Sequence, residues 1–329
     1  MAQNKYKAEL QKLKDLTYFL GIINNLPKTK KREEKNNLPE KIPVILSADD
    51  NYSCFVAVTG ASILYNTKSF IEFYILSEGI TETNRQLIIK TFSDITSHFS
   101  VKFIECNSQE YFSEIKLFKG YHVKLNTMNR LLFPRLVPNV KRAIYLDIDL
   151  IVLDDIKKLW DEDLEGNIIG AVPLIIDRIS IVDDFLKKIE IPEDVDFSYF
   201  NSGVMLIDYA KWREKEGSDK NIIDILINLS NEIKPVGTPD ELVLNKYAYI
   251  NKCYKVLGHK YNINPYYSYK WLLENKNALN QFENKTLEEY EIHIKKHNYI
   301  LAMLFIFKPI FSIDKSVGNH CRSTITYNI

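Results

Sequence analysis

Two aspartates separated by a single residue interrupt an apolar stretch near the middle of the chain. Residues 143–146 are apolar, Asp147, Ile148 and Asp149 follow, and the apolar pattern resumes at Leu150. In an extended backbone alternate side chains project to the same side, so Asp147 and Asp149 would face one way. Two carboxylates at the end of an apolar strand repel each other and lose hydration, and a divalent cation relieves both costs. The pattern predicts a site for Mg²⁺ or Mn²⁺, which prefer hard oxygen ligands; two solvated acids at a strand end are the alternative.

Strands and helices alternate on both sides of this pair, which predicts an α/β domain with a mostly parallel central sheet. Hydrophobic periodicity predicts strands at 43–46, 70–76, 101–104, 143–146, 167–172 and 204–207, and helices at 55–64, 81–92, 125–136 and 156–159. A further helix should follow Pro239 and end near Asn245. In such sheets ligands bind beyond the carboxyl ends of the strands. We therefore expect Asp49 and Asn51, which follow the first strand, to share a crevice with Asp147 and Asp149.

The chain divides into three regions by composition. Residues 1–41 combine an amphipathic helix at 6–23 with a polar linker, residues 42–265 form the main α/β domain, and residues 266–329 form a helical C-terminal region. This last region holds a predicted helix at 287–297 and an apolar run at 299–307. Residues 177–196 are polar and are predicted to form a lid or a substrate loop.

Composition excludes several classes of protein. The chain of 329 residues has 43 basic and 43 acidic side chains, and this lack of a basic excess argues against nucleic acid as a partner. Its four cysteines are scattered, which excludes a zinc ribbon and fits a reducing compartment. The N-terminus lacks a signal-peptide layout, and the run at 299–307 is shorter than the ~20 residues that span a bilayer. We expect a cytoplasmic protein, with peripheral contact to the inner membrane left open.

Five motifs in a fixed order carry a family resemblance. They are Ala48-Asp49-Asp50-Asn51-Tyr52, Arg130, Tyr145-Leu146-Asp147-Ile148-Asp149, Phe200-Asn201-Ser202-Gly203-Val204 and Asp240-Glu241. This set resembles the retaining glycosyltransferases of family 8, the group of glycogenin and of the bacterial galactosyl- and glucosyltransferases of lipopolysaccharide synthesis. The resemblance runs from about residue 42 to residue 264. It implies a GT-A-type nucleotide-sugar-binding fold.

The resemblance also implies which residues contact a uridine-diphosphate sugar. The loop 49–52 would hold the uracil, Asp147 and Asp149 the metal, and Asn201 and Asp240 hydroxyls of the donor sugar. The implied donor-binding residues are Asp49, Asn51, Tyr52, Arg130, Asp147, Ile148, Asp149, Asn201, Ser202 and Lys308. Taken singly, these residues leave simpler interpretations open: a polar turn at 49–52, an exposed helical charge at Arg130, a loop-capping Asn201 and a helix N-cap at Asp240.

Glu241 departs from the family, in which glutamine is typical. In relatives this position lies near the anomeric carbon of the donor. A carboxylate there could form the covalent intermediate of a double displacement, or it could bind a sugar hydroxyl. Glu241 and Asp240 are therefore the candidate catalytic residues.

The C-terminus departs further. The family usually ends in a His, a Gly and a Lys-Pro-Trp, and here only Lys308 and Pro309 of the last motif are kept. Ala302 stands six residues before Lys308, where the metal-binding His is expected. Other histidines of the region are His293, His297 and His320, and no third metal ligand is assigned.

The leading hypothesis is a metal-dependent retaining transfer of a hexose from a uridine-diphosphate sugar to a saccharide acceptor. By resemblance the acceptor is a lipid-linked bacterial glycan such as lipopolysaccharide. A catalytically impaired sugar-nucleotide binder of the same fold is one alternative. A haloacid-dehalogenase-like phosphatase is another, since that family also ends an apolar strand with Asp-x-Asp.

Overall fold

The computed structural model describes residues 40–112, 125–174, 186–187, 189–192, 195–216, 228, 239–262 and 300–302. The strands are β1 (Lys41–Asp49), β2 (Phe70–Glu78), β3 (Phe99–Glu105), β4 (Arg142–Leu146), β5 (Leu150–Val152), β6 (Ile169–Pro173), β7 (Phe200–Asp208), β8 (Tyr254–Val256) and β9 (Ile300–Ala302). The α-helices are α1 (Ser53–Asn66), α2 (Glu82–Ser93), α3 (Ser108–Phe112), α4 (Phe133–Leu136), α5 (Lys157–Trp160), α6 (Tyr209–Glu216) and α7 (Pro239–Asn251). Among these described residues, three 3₁₀ segments span Asp50–Tyr52, Leu125–Leu132 and His259–Tyr261.

In the part of the chain that the structure describes, seven strands form the central sheet in the order β3-β2-β1-β4-β7-β6-β8. The pairs β2–β3, β1–β2, β1–β4 and β6–β8 are parallel, whereas β7 runs antiparallel to both β4 and β6. The predicted mostly parallel α/β sheet is therefore confirmed. The chain moves outward from β1 to β3 and then returns to the other side of β1 as β4, which makes the carboxyl ends of β1 and β4 a topological switch point.

Both faces of the sheet are buried, so the strands are apolar nearly throughout. Along β1 and β4 successive side chains enter opposite cores: Ile45 and Tyr145 belong to one cluster, and Val44 and Ile144 to the other. The first cluster lies with Phe133, Trp212 and Tyr247, and the second with Ile63, Phe73 and Phe92. This burial fixes the register of each strand, and with it the side on which Asp147 leaves the end of β4.

Most of the predicted elements of the main domain are present, and three differ. The strand predicted at 204–207 begins at Phe200, so Asn201 lies on β7 rather than in a loop before it. The predicted helix at 125–136 is a 3₁₀ helix over Leu125–Leu132 followed by the short α4. The end predicted for the helix after Pro239 was wrong, since α7 continues to Asn251. Asn245 does not end α7, because its side chain donates to the carbonyls of Phe200 and Glu241 and accepts from the N–H of Phe200.

The terminal regions are described only in part. The predicted helices at 6–23 and 287–297, most of the linker, Lys308 and more than half of the polar segment 177–196 lie outside the described residues. Of the C-terminal region the structure describes Ile300–Ala302, which belong to the apolar run at 299–307, form strand β9 and pair antiparallel with β5. Within the part of the chain that the structure describes, no helix is both long and apolar enough to cross a membrane.

Helices α1 and α2 meet at Gly60. A Cβ atom on this residue would lie 2.1 Å from Cζ of Phe92, which is fully buried against Phe73. We expect Gly60→Ala to lower the free energy of unfolding by about 1–3 kcal/mol through overpacking. Helix propensity alone would raise the free energy of unfolding by about 1 kcal/mol for this change. The sign of the measured change therefore shows whether overpacking or helix propensity dominates.

Chemical denaturation of Gly60→Ala, Phe92→Leu and the double variant measures this contact. Phe92→Leu should remove part of the penalty of the alanine, so the two changes should not be additive. A stabilised Gly60→Ala, or simple additivity, would contradict the close packing at this position.

Candidate active site

The carboxyl edge of the sheet gathers acidic side chains from neighbouring strands. Asp49 ends β1, Glu78 ends β2 beside it, and Asp147 directly follows β4. Since β1 and β4 are parallel neighbours, the loop after Asp49 and the Asp147–Asp149 turn leave the sheet at the same edge. The two sequence motifs thus open into one region, as their positions after strands predicted.

The loop after β1 is held by its two aspartates. Asp49 accepts hydrogen bonds from the N–H of Tyr52 (3.2 Å) and from Nδ2 of Asn126 (3.2 Å). Asp50 accepts from the N–H of Thr81 (2.8 Å) at the start of α2. Asn51 and Tyr52 are exposed between these anchors. The loop is therefore a turn fixed by hydrogen bonds, and it presents the amide of Asn51 and the ring of Tyr52 to solvent.

Arg130 lies at the centre of the site and is not the exposed helical charge that its sequence left open. Its guanidinium donates from Nη2 to Oδ1 of Asp147 (2.8 Å), pairs through Nε with Oδ2 of Asp240 (3.1 Å), and donates from Nη1 to the carbonyl and hydroxyl of Ser202 (3.0 Å each). It also lies 4.6 Å from the ring centroid of Tyr145. Burial alone would lower the pKa of Arg130, but nearby charges, Asp147 foremost, raise it above its ordinary value, and the side chain stays cationic.

Asp147 is fixed on several sides. Its Oδ1 accepts from Arg130 and from the hydroxyl of Tyr145 (2.9 Å), and its N–H donates to the carbonyl of Gly203 (2.8 Å). Oδ2 lies 2.8 Å from the point where a Cβ on Gly203 would stand. The glycine is required here, because any side chain would push the carboxylate away.

Asp149 lies in the turn between β4 and β5. Its neighbours in the chain are held through their backbone. The single hydroxyl proton of Thr59 is shared between the carbonyl oxygens of Ile148 and Leu150, which lie 2.7 Å and 2.9 Å from Oγ1. The side chain of Ile148 packs against the apolar core under α1. The turn is thus anchored to helix α1 on one side and to the core on the other.

Glu241 is buried at the start of α7. Oε1 accepts from the hydroxyl of Tyr199 (3.1 Å), and Oε2 accepts from Nδ2 of Asn201 (2.9 Å) and the N–H of Ser202 (3.1 Å). Burial raises the pKa of Glu241 from 4.5 to about 7 and outweighs the lowering by these hydrogen bonds. Asn201 in turn accepts from the N–H of Gly203 and from Asn262, so its amide links three parts of the chain.

Asp240 lies within the first turn of α7, which begins at Pro239, so it is not the helix N-cap that its sequence left open. It pairs with Arg130, as a site residue would, and its carboxylate is also stabilised by the backbone N–H groups of Asp240 and Glu241 at the start of α7. Burial raises the pKa of Asp240, and Arg130 opposes this shift.

Asp147 and Asp149 have the right chemistry for a hard divalent cation, since both are carboxylates. Among the described residues no set of three or more His, Cys, Asp or Glu side chains forms a metal-binding cluster. The backbone of Ala302 pairs with Leu150, one residue beyond Asp149. The position expected for the family's histidine thus lies on the strand beside the pair, while Lys308, His293, His297 and His320 are outside the described residues.

The sequence did not predict the hydrogen bonds that hold the 3₁₀ helix carrying Arg130 against the ends of β1 and β2. Glu78 accepts from Nδ2 of Asn129 (2.7 Å), just as Asp49 accepts from Asn126, and Glu78 also accepts from the hydroxyl of Ser108 (2.8 Å). Residues three apart on a 3₁₀ helix lie on the same side, so both asparagines reach the strand ends together. The position of Glu78 at the end of an apolar strand was the available signal. Thr59, in the middle of an apolar helix, carried none.

Comparison with known proteins gives a consistent result. The sequence model of glycosyl transferase family 8 matches residues 43–296. General stress protein A of Bacillus subtilis is 30% identical over 220 residues, covering 64% of this chain and 68% of that protein. The lipopolysaccharide 1,2-glucosyltransferase of Escherichia coli is 26% identical over 300 residues, covering 90% of this chain and 80% of that one.

A crystal structure of the galactosyltransferase LgtC in complex with donor and acceptor sugar analogs superposes with a TM-score of 0.58 at 26% identity, covering 70% of this chain and 78% of that one. The fold, the ordered motifs and the extent of the family match set aside the phosphatase alternative. The chain therefore belongs to glycosyl transferase family 8 and is a glycosyltransferase with the GT-A-like fold of LgtC.

Proposed function

We propose that this enzyme transfers a hexose, with retention, from a uridine-diphosphate sugar to a hydroxyl of a saccharide acceptor in a metal-dependent reaction. The observation that carries the proposal is the meeting of Asp147, Asp149 and the loop 49–52 at the switch point of the sheet. LgtC crystallised with donor and acceptor sugar analogs supports a nucleotide-sugar donor. The similarity to a lipopolysaccharide glucosyltransferase supports a lipid-linked bacterial glycan as the acceptor.

In this proposal Asp147 and Asp149 hold Mn²⁺ or Mg²⁺. The cation would supply charge neutralisation to the diphosphate leaving group when bound. Arg130 and Tyr145 donate hydrogen bonds to Oδ1 of Asp147, so Oδ2 is the oxygen proposed to bind the cation. Lys308 is proposed to reach the diphosphate, and the backbone beside Ile148 to border it.

The remaining site residues divide between the two ends of the donor. Asp49 and Asn51 are proposed to bind the polar edge of the uracil, and Tyr52, which is 38% exposed, offers an aromatic face beside it. Asp240, Asn201 and Ser202 are proposed to bind hydroxyls of the sugar. They surround Arg130 and Glu241, so the sugar would lie over the buried charges.

For Glu241 we propose a role in holding the sugar site, with Asp240 beside it. A nucleophile needs a lone pair directed at the anomeric carbon. Each oxygen of Glu241 already accepts a hydrogen bond from the protein, and the residue is only 7% exposed. These bonds tie the start of α7 to the Asn201–Ser202 segment, where a glutamine would serve as well.

The charges of Asp147 and Asp149 should be required for transfer. We expect Asp147→Asn and Asp149→Asn each to reduce UDP release from UDP-hexose and acceptor, in the presence of Mn²⁺, by about 100-fold or more, because an amide cannot neutralise a cation. Asp161→Asn, an exposed carboxylate paired with Lys157, is the matched control and should retain wild-type activity.

Two further measurements distinguish a metal-dependent transferase from a catalytically impaired sugar-nucleotide binder. Unreduced transfer in the doubly substituted Asp147→Asn/Asp149→Asn enzyme would contradict the metal site. UDP-sugar binding by calorimetry without UDP release from the wild-type protein, across glucose, galactose and their N-acetyl forms, would instead favour a catalytically impaired binder.

Glu241→Gln tests the role of this side chain. Its carbonyl oxygen can accept from Asn201 and Ser202, and its amide can donate to the hydroxyl of Tyr199, so we expect kcat within about tenfold of wild type. Steady-state kinetics with a UDP-hexose measure this. A fall of more than about a thousandfold, with donor binding intact, would favour the nucleophile instead.

The same variant should change the pH dependence of stability. Because the folded-state pKa of Glu241 is raised from 4.5 to about 7, the native protein holds a proton that the unfolded chain releases, and stability falls as the pH rises through this window. Glu241→Gln should remove this fall, which corresponds to roughly 3 kcal/mol at most by pH 8. Urea denaturation at pH 5 and pH 8 measures it, with Glu110→Gln, on an exposed position, as control; an unchanged slope in Glu241→Gln would contradict the raised pKa.

A further inference from the structure

Helix α1 presents a row of polar side chains to the backbone of β5. Thr59 and Ser62 lie one turn apart and Asn66 one turn further, on the same side of an otherwise mostly apolar helix. Ser62 Oγ accepts from the N–H of Val152 (2.9 Å), and Asn66 Nδ2 donates to the carbonyl of Val152 (2.8 Å). The side chains of α1 thus satisfy backbone groups that a neighbouring strand would otherwise bind.

The row begins at the Asp-x-Asp turn. Thr59 is fully buried, and its hydroxyl lies 2.7 Å from the carbonyl oxygen of Ile148 and 2.9 Å from that of Leu150. These two carbonyls flank Asp149 in the chain. On its other side β5 pairs with β9, so the three residues after Asp149 are held between a helix and a strand.

The geometry points to Thr59 as a positioning residue for Asp149, an inference that rests on the proposed function. By holding the peptide groups on both sides of Asp149, the hydroxyl sets the direction in which the carboxylate leaves the backbone. Metal ligands must be placed to within a few tenths of an ångström. Partners that orient a ligand commonly change metal affinity by about 10–100-fold when they are removed.

Helix α1 also carries the other half of the site. The 3₁₀ turn Asp50–Tyr52 runs directly into Ser53, the first residue of α1. One rigid element therefore supports both the loop proposed to hold the uracil and the aspartate proposed to hold the cation. The spacing between the two proposed subsites would be set by the five residues of α1 between Ser53 and Thr59.

The matched pair Thr59→Val and Thr59→Ser tests this role. Valine keeps the shape and loses the donor, whereas serine keeps the donor. The measurement is the Mn²⁺ concentration that half-saturates calorimetric binding of UDP to the full chain. We expect Thr59→Val to raise it about tenfold or more, and Thr59→Ser to raise it less than about threefold.

Thr91→Val controls for loss of a threonine hydroxyl. Thr91 is partly exposed on α2, and its hydroxyl donates to the carbonyl of Leu87 (2.8 Å) in the same helix, so the half-saturating Mn²⁺ concentration of Thr91→Val should equal that of the wild type. At saturating Mn²⁺, kcat of Thr59→Val should return to within a few fold of wild type. Equal Mn²⁺ dependence in Thr59→Val and wild type would overturn the inference, as would equal shifts in Thr59→Val and Thr59→Ser.

A second variant covers the case in which Thr59→Val does not fold. Ser62→Ala releases the N–H of Val152, two residues beyond Leu150, and also removes the hydrogen bond from the Ser62 hydroxyl to the carbonyl of Thr59 in the same helix. We expect a rise of about threefold in the half-saturating Mn²⁺ concentration. No rise in that variant would overturn the inference. Absence of Mn²⁺-dependent UDP binding in the wild type would instead overturn the proposed function, so the two failures are distinguishable.

Discussion

The ion pair between Arg130 and Asp147 is the interaction on which the site depends. Both partners are largely buried, and the same guanidinium also pairs with Asp240 and binds Ser202. A buried ion pair yields little net stability because both charges lose their hydration, but removal of one partner leaves a costly unpaired charge. Arg130 therefore ties together the end of β4, the start of α7 and strand β7, and none of them can move away without exposing that cost.

Three acidic side chains lie close to Arg130 among the described residues, and the pKa values of two of them are raised. Asp147, Asp240 and Glu241 all act on Arg130, and burial raises the pKa of both Asp240 and Glu241. Such a surplus of negative charge lowers the stability of the folded protein. It also means that a cationic ligand would be attracted to the site before any specific contact forms.

The sequence predicted the sheet and the location of the site because both follow from local patterns. Apolar runs such as 143–146 specify buried strands, and polar residues directly after them must lie at the carboxyl edge. Two hydrogen bonds could not be predicted, because each joins elements far apart in the chain. One links Asn129 to Glu78, and the other links Thr59 to the carbonyl of Ile148 beside Asp149. The full length of α7 escaped for a related reason: Asn245 looks like a helix terminator until its partner, the backbone of Phe200, is known.

The commitments of Asp147 limit how a cation can be held. Its Oδ1 already accepts hydrogen bonds from Arg130 and Tyr145, so this oxygen holds neighbouring side chains in place rather than binding a cation. Mg²⁺ and Mn²⁺ prefer about six oxygen ligands, and two aspartates supply a minority of them. In the proposed function the diphosphate of the donor and water must therefore contribute the rest. Cation and nucleotide would then bind as one unit, and the placement of Asp149, through the backbone that Thr59 holds, would determine how well that unit fits.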